Sequence, residues 1–228
     1  MDIQLHYIEK GEGKPLVLLH GNGSSLHYFQ NQIETFSKSY RVFAVDTRGH
    51  GQSPRGTAPF TMQQFSEDLH AFLDEHDLKK VYLLGFSDGG NIALTFALRY
   101  PECIEKLIVN GANLNTKGVK LHDQLPIEIG YRLARLAAAK SETARRKCEL
   151  LSLMVNEPNI RFAQLGALTM PTLVIVGTND MIKDAHSRAI AAALPHAEFV
   201  ALKGGHCISK DAPELYNRAV EQFLEKQM

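Results

Sequence analysis

Apolar residues in this chain occur in two patterns. Short continuous runs, such as Leu16-Val17-Leu18-Leu19 and Val81-Tyr82-Leu83-Leu84, alternate with longer stretches in which apolar residues recur every three or four positions. The runs predict strands over residues 3–8, 15–20, 41–46, 80–86, 104–110, 172–177 and 198–202. The periodic stretches predict helices over 26–36, 61–76, 88–99, 183–194 and 213–226. In the second of these, Met62, Phe65, Leu69, Phe72 and Leu73 form one apolar stripe that packs on a sheet. Strands that alternate with helices and are apolar throughout imply an α/β fold, a mostly parallel sheet covered on both faces.

One region breaks the alternation. Residues 113–168 contain no convincing strand, and helices are expected at 132–140 and 142–155. The expectation is a single domain over 1–228 with a short helical insertion at 113–168. Leu125, Ile129, Leu153 and Met154 are its candidate pocket-lining residues, and Arg145-Arg146-Lys147 reads as a solvated helix face.

Composition sets bounds. The chain has 228 residues, 44% hydrophobic, with 25 basic and 25 acidic side chains. That length suits one domain with a sizeable core. A net charge of zero leaves no electrostatic footprint for nucleic acid or an anionic membrane, so neither is an expected partner. No apolar stretch approaches the ~18 residues of a membrane span. The start, Met1-Asp2-Ile3-Gln4-Leu5-His6, lacks the basic-then-apolar order of a secretory leader. Cys103, Cys148 and Cys207 are odd in number and widely spaced. They read as free thiols in a reducing compartment, and a cytoplasmic location is expected.

The chemistry concentrates at Gly85-Phe86-Ser87-Asp88-Gly89, between a predicted strand and a predicted helix. A serine between glycines at such a junction occupies a tight turn that exposes its Oγ. A hydroxyl nucleophile needs a base, an acid to orient that base, and donors for the oxyanion. His206 follows Gly204-Gly205 after the last strand, and Asp180 follows the strand at 172–177. The turn His20-Gly21-Asn22-Gly23 offers the N–H of Asn22 as one oxyanion donor, and the N–H of Asp88 offers a second. His20 is expected to brace that turn. The Asp88 side chain has two readings: a carboxylate favoured at a helix N-terminus, or a partner for a cationic substrate group. Neither the cysteine and histidine spacings nor the glycine-rich loops match a metal or phosphate fingerprint, so no cofactor and no metal are expected.

Together with Asp46-Thr47-Arg48-Gly49-His50-Gly51-Gln52-Ser53, Pro171 to Asp180, and the segment from Gly205-His206 to Pro213-Glu214, these motifs run nearly end to end. The chain resembles the α/β-hydrolase fold-1 superfamily of small esterases and related hydrolases. The resemblance implies Ser87 as nucleophile, Asp180 as acid, His206 as base, and Asn22 with Asp88 as oxyanion donors. It implies a turn-shaping role for the segment from Asp46 to Ser53. The expected activity is a serine hydrolase acting on a small-molecule acyl substrate, a carboxylic ester first of all, through an acyl-enzyme. The same constellation serves thioesters, amino-acyl esters or peptides, and C–C bonds. A slow-turnover ligand sensor is the alternative of another class. Monomer and homodimer both remain open.

Overall fold

The computed structural model describes residues 2–226. Seven strands form one sheet in the order β1-β3-β2-β4-β5-β6-β7. They are β1 (Tyr7–Lys10), β2 (Lys14–Leu19), β3 (Tyr40–Val45), β4 (Val81–Phe86), β5 (Ile104–Asn110), β6 (Thr172–Gly177) and β7 (Ala197–Leu202). β1 pairs antiparallel with β3, and every other neighbour is parallel. The helices are α1 (Gln30–Phe36), α2 (Met62–Glu75), α3 (Asp88–Arg99), α4 (Leu121–Ala137), α5 (Glu142–Asn156), α6 (Phe162–Leu165), α7 (Asp184–Ala193), α8 (Ile208–Asp211) and α9 (Pro213–Glu225).

The period-two geometry of a strand sends alternate residues to opposite faces, so continuous apolar runs feed two cores. Val17, Leu19 and Leu83 join the α2 stripe with Ile92 and Phe96 of α3 and Ile190 of α7. Leu16, Leu18, Tyr82 and Leu84 join Ile33 and Phe36 of α1 with Tyr216, Val220 and Phe223 of α9. Thr61 caps α2, its hydroxyl accepting from the Gln64 N–H at 3.1 Å. α3 ends before Pro101. Among the described residues no helix is long and apolar enough to cross a membrane.

Two elements differ from expectation. The first strand begins at Tyr7 rather than residue 3. Ile3 and Leu5 are buried in the core without joining the ladder, so their alternation reports burial and not strand pairing. The first insertion helix starts at Leu121, eleven residues before the expected 132, and carries Pro126 inside it. A proline this far into a helix removes one internal hydrogen bond, which is why the sequence reads as broken there. α4 and α5 pack side by side between β5 and β6, and α5 touches the loop after β5. Leu125 and Ile129, expected to line a pocket, are exposed on the outer face of α4, while Leu153 is part of the main core.

Candidate active site

The site lies beyond the carboxyl ends of β2, β4, β6 and β7, where parallel sheets open a crevice. Ser87 links β4 to α3 at φ 53°, a conformation that disfavours side chains with a Cβ. Holding a non-glycine residue there costs of order 1–3 kcal/mol and requires enforcement by its surroundings. The enforcement is visible. The Ser87 N–H donates to the Asn110 carbonyl on β5 at 2.8 Å, and the Ser87 carbonyl accepts from the Asn91 N–H at 3.0 Å. A Cβ on Gly89 would stand 2.0 Å from the Leu19 carbonyl oxygen, so only glycine lets α3 approach the end of β2.

His206 receives both partners. Its Nδ1 lies 2.6 Å from Asp180 Oδ1 and its Nε2 lies 3.0 Å from Ser87 Oγ. The tautomer with hydrogen on Nδ1 satisfies both contacts: Nδ1–H donates to the carboxylate, and Nε2 accepts from the serine hydroxyl. Asp180 is buried, and its Oδ1 also accepts from the Ile182 N–H at 2.9 Å. The Phe86 ring packs against the imidazole, with centroids 4.9 Å apart, and stacks on Tyr28 from its other neighbour at 4.2 Å. Gly111 sits beneath this pair at φ 61°, where a Cβ would stand 2.9 Å from the imidazole Cε1. Asp184, the next carboxylate along, is exposed on α7 and pairs with Arg188. Cys207 is exposed beside His206.

The turn after β2 lies against the serine: a Cβ on Gly21 would be 3.1 Å from Ser87 Cβ. Among the described residues the Asn22 N–H has no acceptor. The Asp88 N–H belongs to the first turn of α3, where intrahelical acceptors are missing. His20 braces the turn: its Nδ1 donates to the Gly21 carbonyl at 2.7 Å, and its Nε2 accepts from the Thr47 N–H at 3.2 Å. Burial holds the His20 imidazole below its usual range, and burial with the neighbouring His20 brings His50 down to about 4. Asp46 shapes the following turn by accepting from the Leu26 and Gln52 N–H groups at 2.7 and 2.9 Å.

Asp88 stands in the first turn of α3, as the helix-terminus reading expects, but in a buried setting. Its carboxyl is buried, with Oδ2 lacking a partner among the described residues. Burial pushes its pKa up to about 6, against the opposing pull of the Asn22 and Asn91 side chains. A helix N-terminus favours the charged form by only 0.3–1 kcal/mol, and desolvation outweighs it. Asn91 joins Asp88 to the loop after β5. Its Nδ2 donates to Asp88 Oδ1 and Asn113 Oδ1, both at 3.2 Å, and its Oδ1 accepts from the Asn113 N–H at 2.9 Å.

Two insertion contacts have no signal in the sequence. Asn22 Nδ2 donates to the Leu150 carbonyl of α5 at 2.7 Å. Glu157, whose carboxyl is pushed up by burial, accepts from the Met62 N–H at the start of α2 at 2.7 Å. The basic run behaves as expected of a solvated face: Arg145 pairs with Glu142, and both are exposed. Among the described residues no group of acidic, histidine and cysteine side chains has the arrangement of a metal site.

Comparison with known proteins agrees with this architecture. The chain is 27% identical to (E)-2-((N-methylformamido)methylene)succinate hydrolase of Acinetobacter baylyi, over 96% of this chain and 94% of that one. It is 26% identical to 3-oxoadipate enol-lactonase 2 of the same organism, over 99% and 94%. The enol-lactonase of Burkholderia xenovorans superimposes with a TM-score of 0.84 at 22% identity, covering 98% of this chain and 97% of that structure. Residues 14–128 match the alpha/beta hydrolase fold family. The chain belongs to that family.

Proposed function

We propose that the protein is a serine hydrolase that cleaves small acyl compounds, carboxylic esters foremost, through an acyl-enzyme. One observation carries the reading. Ser87 Oγ, His206 and Asp180 form a continuous hydrogen-bonded line of 3.0 and 2.6 Å, with the serine held at a strained φ of 53°. His206 Nε2 takes the hydroxyl proton as Oγ attacks the acyl carbon. Asp180 fixes the tautomer and stabilises the imidazolium. The N–H groups of Asn22 and Asp88 receive the oxyanion; losing one such donor typically costs 10²–10³ in rate. His206 then protonates the leaving group, and water cleaves the acyl-enzyme by the reverse use of the same groups. The relatives' names point the same way: one is a hydrolase of a succinate derivative, the other an enol-lactonase. Three free cysteines fit a reducing cytoplasm.

The test is covalent. A fluorophosphonate should label the protein one-to-one, with the adduct on Ser87 by mass spectrometry. Ser87→Ala should abolish labelling and nearly all turnover while the fold persists. An adduct on Cys207 or another serine overturns the assignment. One ligand held per chain without steady-state turnover, across a panel of esters and thioesters, would make the protein a sensor instead.

A further inference from the structure

α4 turns its apolar side outward. Leu121, Leu125, Ile129, Leu133 and Leu136 are between 50% and 79% exposed. Their spacing of four, four, four and three residues places them on one stripe of the helix. The opposite side, with Gln124, Ile127, Tyr131 and Ala134, is buried or half-buried and packs along α5. A 17-residue helix is about 25 Å long, so five large aliphatic side chains form one continuous strip. Exposed strips of this kind on a soluble domain mark interaction surfaces.

The charges beside the strip identify its occupant. Glu128 and Arg132 lie on the same flank, four residues apart, and Arg135 continues that flank. No ion pair joins either arginine to a carboxylate among the described residues, Arg135 lying over the Tyr131 ring at 5.8 Å, and the Glu128 carboxylate accepts from the Gln124 amide at 3.3 Å. We propose that this face of α4 pairs with the same face of a second copy of the chain, antiparallel, about a two-fold axis near Ile129. In that arrangement Ile129 meets its own copy, and Leu125 lies against the partner's Leu133. Antiparallel helices bring like flanks together, so Glu128 of each copy lies within a turn of Arg132 of the other, and the contact is made twice. A parallel pairing would set this flank against Pro126, Gly130 and Ala137, which carry no charge. An anionic lipid surface is a poorer match, because the strip has an acidic flank residue and no Trp, Tyr or Phe to anchor it. Such isologous pairing is the commonest form of self-association.

Sedimentation velocity over a micromolar concentration series tests this on the intact chain. The wild type should shift from the mass of one chain to that of two. Ile129→Glu, on the exposed face, should stay monomeric with unchanged circular dichroism, and the control Leu215→Glu, an exposed leucine on α9, should dimerise as the wild type does. Glu128→Arg and Arg132→Glu should each weaken self-association roughly tenfold through like-charge contacts. An equimolar mixture of the two should restore it, because each charge then meets its opposite. A wild type that stays monomeric throughout overturns the proposal, as does a mixture that associates no better than its components. Flotation of monomers with phosphatidylcholine–phosphatidylglycerol vesicles, without dimer in solution, also overturns it.

Discussion

Replacing Asp88 with asparagine should flatten part of the protein's dependence on pH. The folded carboxyl binds its proton up to about pH 6, whereas the ordinary value for an aspartate is 3.8. Between these limits the native protein keeps a proton that the unfolded chain releases. Stability therefore falls as pH rises through that window, and the loss is complete above about pH 6. The gap is about two pH units, and at about 1.4 kcal/mol per unit it amounts to about 3 kcal/mol. Asp88→Asn keeps the acceptor for the Asn91 amide and removes the titration. Whatever constant offset the amide introduces, the stability of the variant relative to wild type should grow by about 2.4 kcal/mol from pH 4 to pH 7, because at pH 4 the unfolded carboxyl is already partly protonated. Urea unfolding at intervals across that range, extrapolated to water, measures the difference directly. In thermal melts it corresponds to a relative gain of about 5–10 °C for a chain of this size. Titrating groups remote from Asp88 contribute equally to both proteins and cancel, and His206 and Glu157, which interact with its carboxylate, add only a smaller correction. Parallel curves for wild type and variant would refute the argument, because they would mean that the buried carboxyl is ionised without penalty.

Other consequences are equally accessible. Asp180→Asn should lower kcat by up to ~10⁴ with little change in unfolding, since it spoils the tautomer but not the fold; comparable loss in Asp184→Asn instead would move the acid to α7. The buried Arg48 guanidinium grips Asp68 through Nε and Nη2 at 2.7 and 2.6 Å. Arg48→Leu should cost about 3–5 kcal/mol by urea unfolding because Asp68 is left buried and unpaired, and Arg48→Leu with Asp68→Leu should recover much of it. Gly111→Ala should cut kcat more than it changes KM, since a methyl group there meets His206 in a strained backbone; unchanged kcat would show that the imidazole has room to shift. Acetyl to butyryl esters should be cleaved faster than dodecanoyl esters by a site under so short an insertion, and the reverse order in steady-state rates would contradict it.

The sheet and the line from Ser87 to Asp180 were legible because their signals are local. The central strands of the parallel sheet are mostly apolar runs, and each candidate site residue sits within a few positions of a strand end, in a glycine-marked turn. His20 and Asp46 were readable as turn-shapers for the same reason. The sequence pattern starts the first strand at residue 3 because Ile3 and Leu5 bury side chains without pairing backbone, and one pattern serves both outcomes. The sequence pattern starts α4 late because Pro126 normally ends a helix, and its cost is carried here by packing against α5. Leu125 and Ile129 read as pocket residues because an apolar residue looks the same in sequence whether its helix turns it inward or outward. The contacts from Asn22 to Leu150 and from Glu157 to Met62 join residues 128 and 95 positions apart, and nothing local encodes them.

The Asn22 amide holds α5 by a main-chain oxygen. What it recognises is therefore blind to side-chain identity: any residue at position 150 presents the same carbonyl. Substitutions along α5 are free to change its side chains while the anchor stays intact, so its surface can drift by point mutation at little mechanical cost. Insertions and deletions are a different matter. One residue added ahead of position 150 turns the helix by about 100° and advances it by about 1.5 Å, which carries that oxygen away from the amide. Relatives that exchange insertions wholesale would then have to rebuild the joint with the turn after β2, and tolerance to length change in α5 should be far lower than tolerance to sequence change.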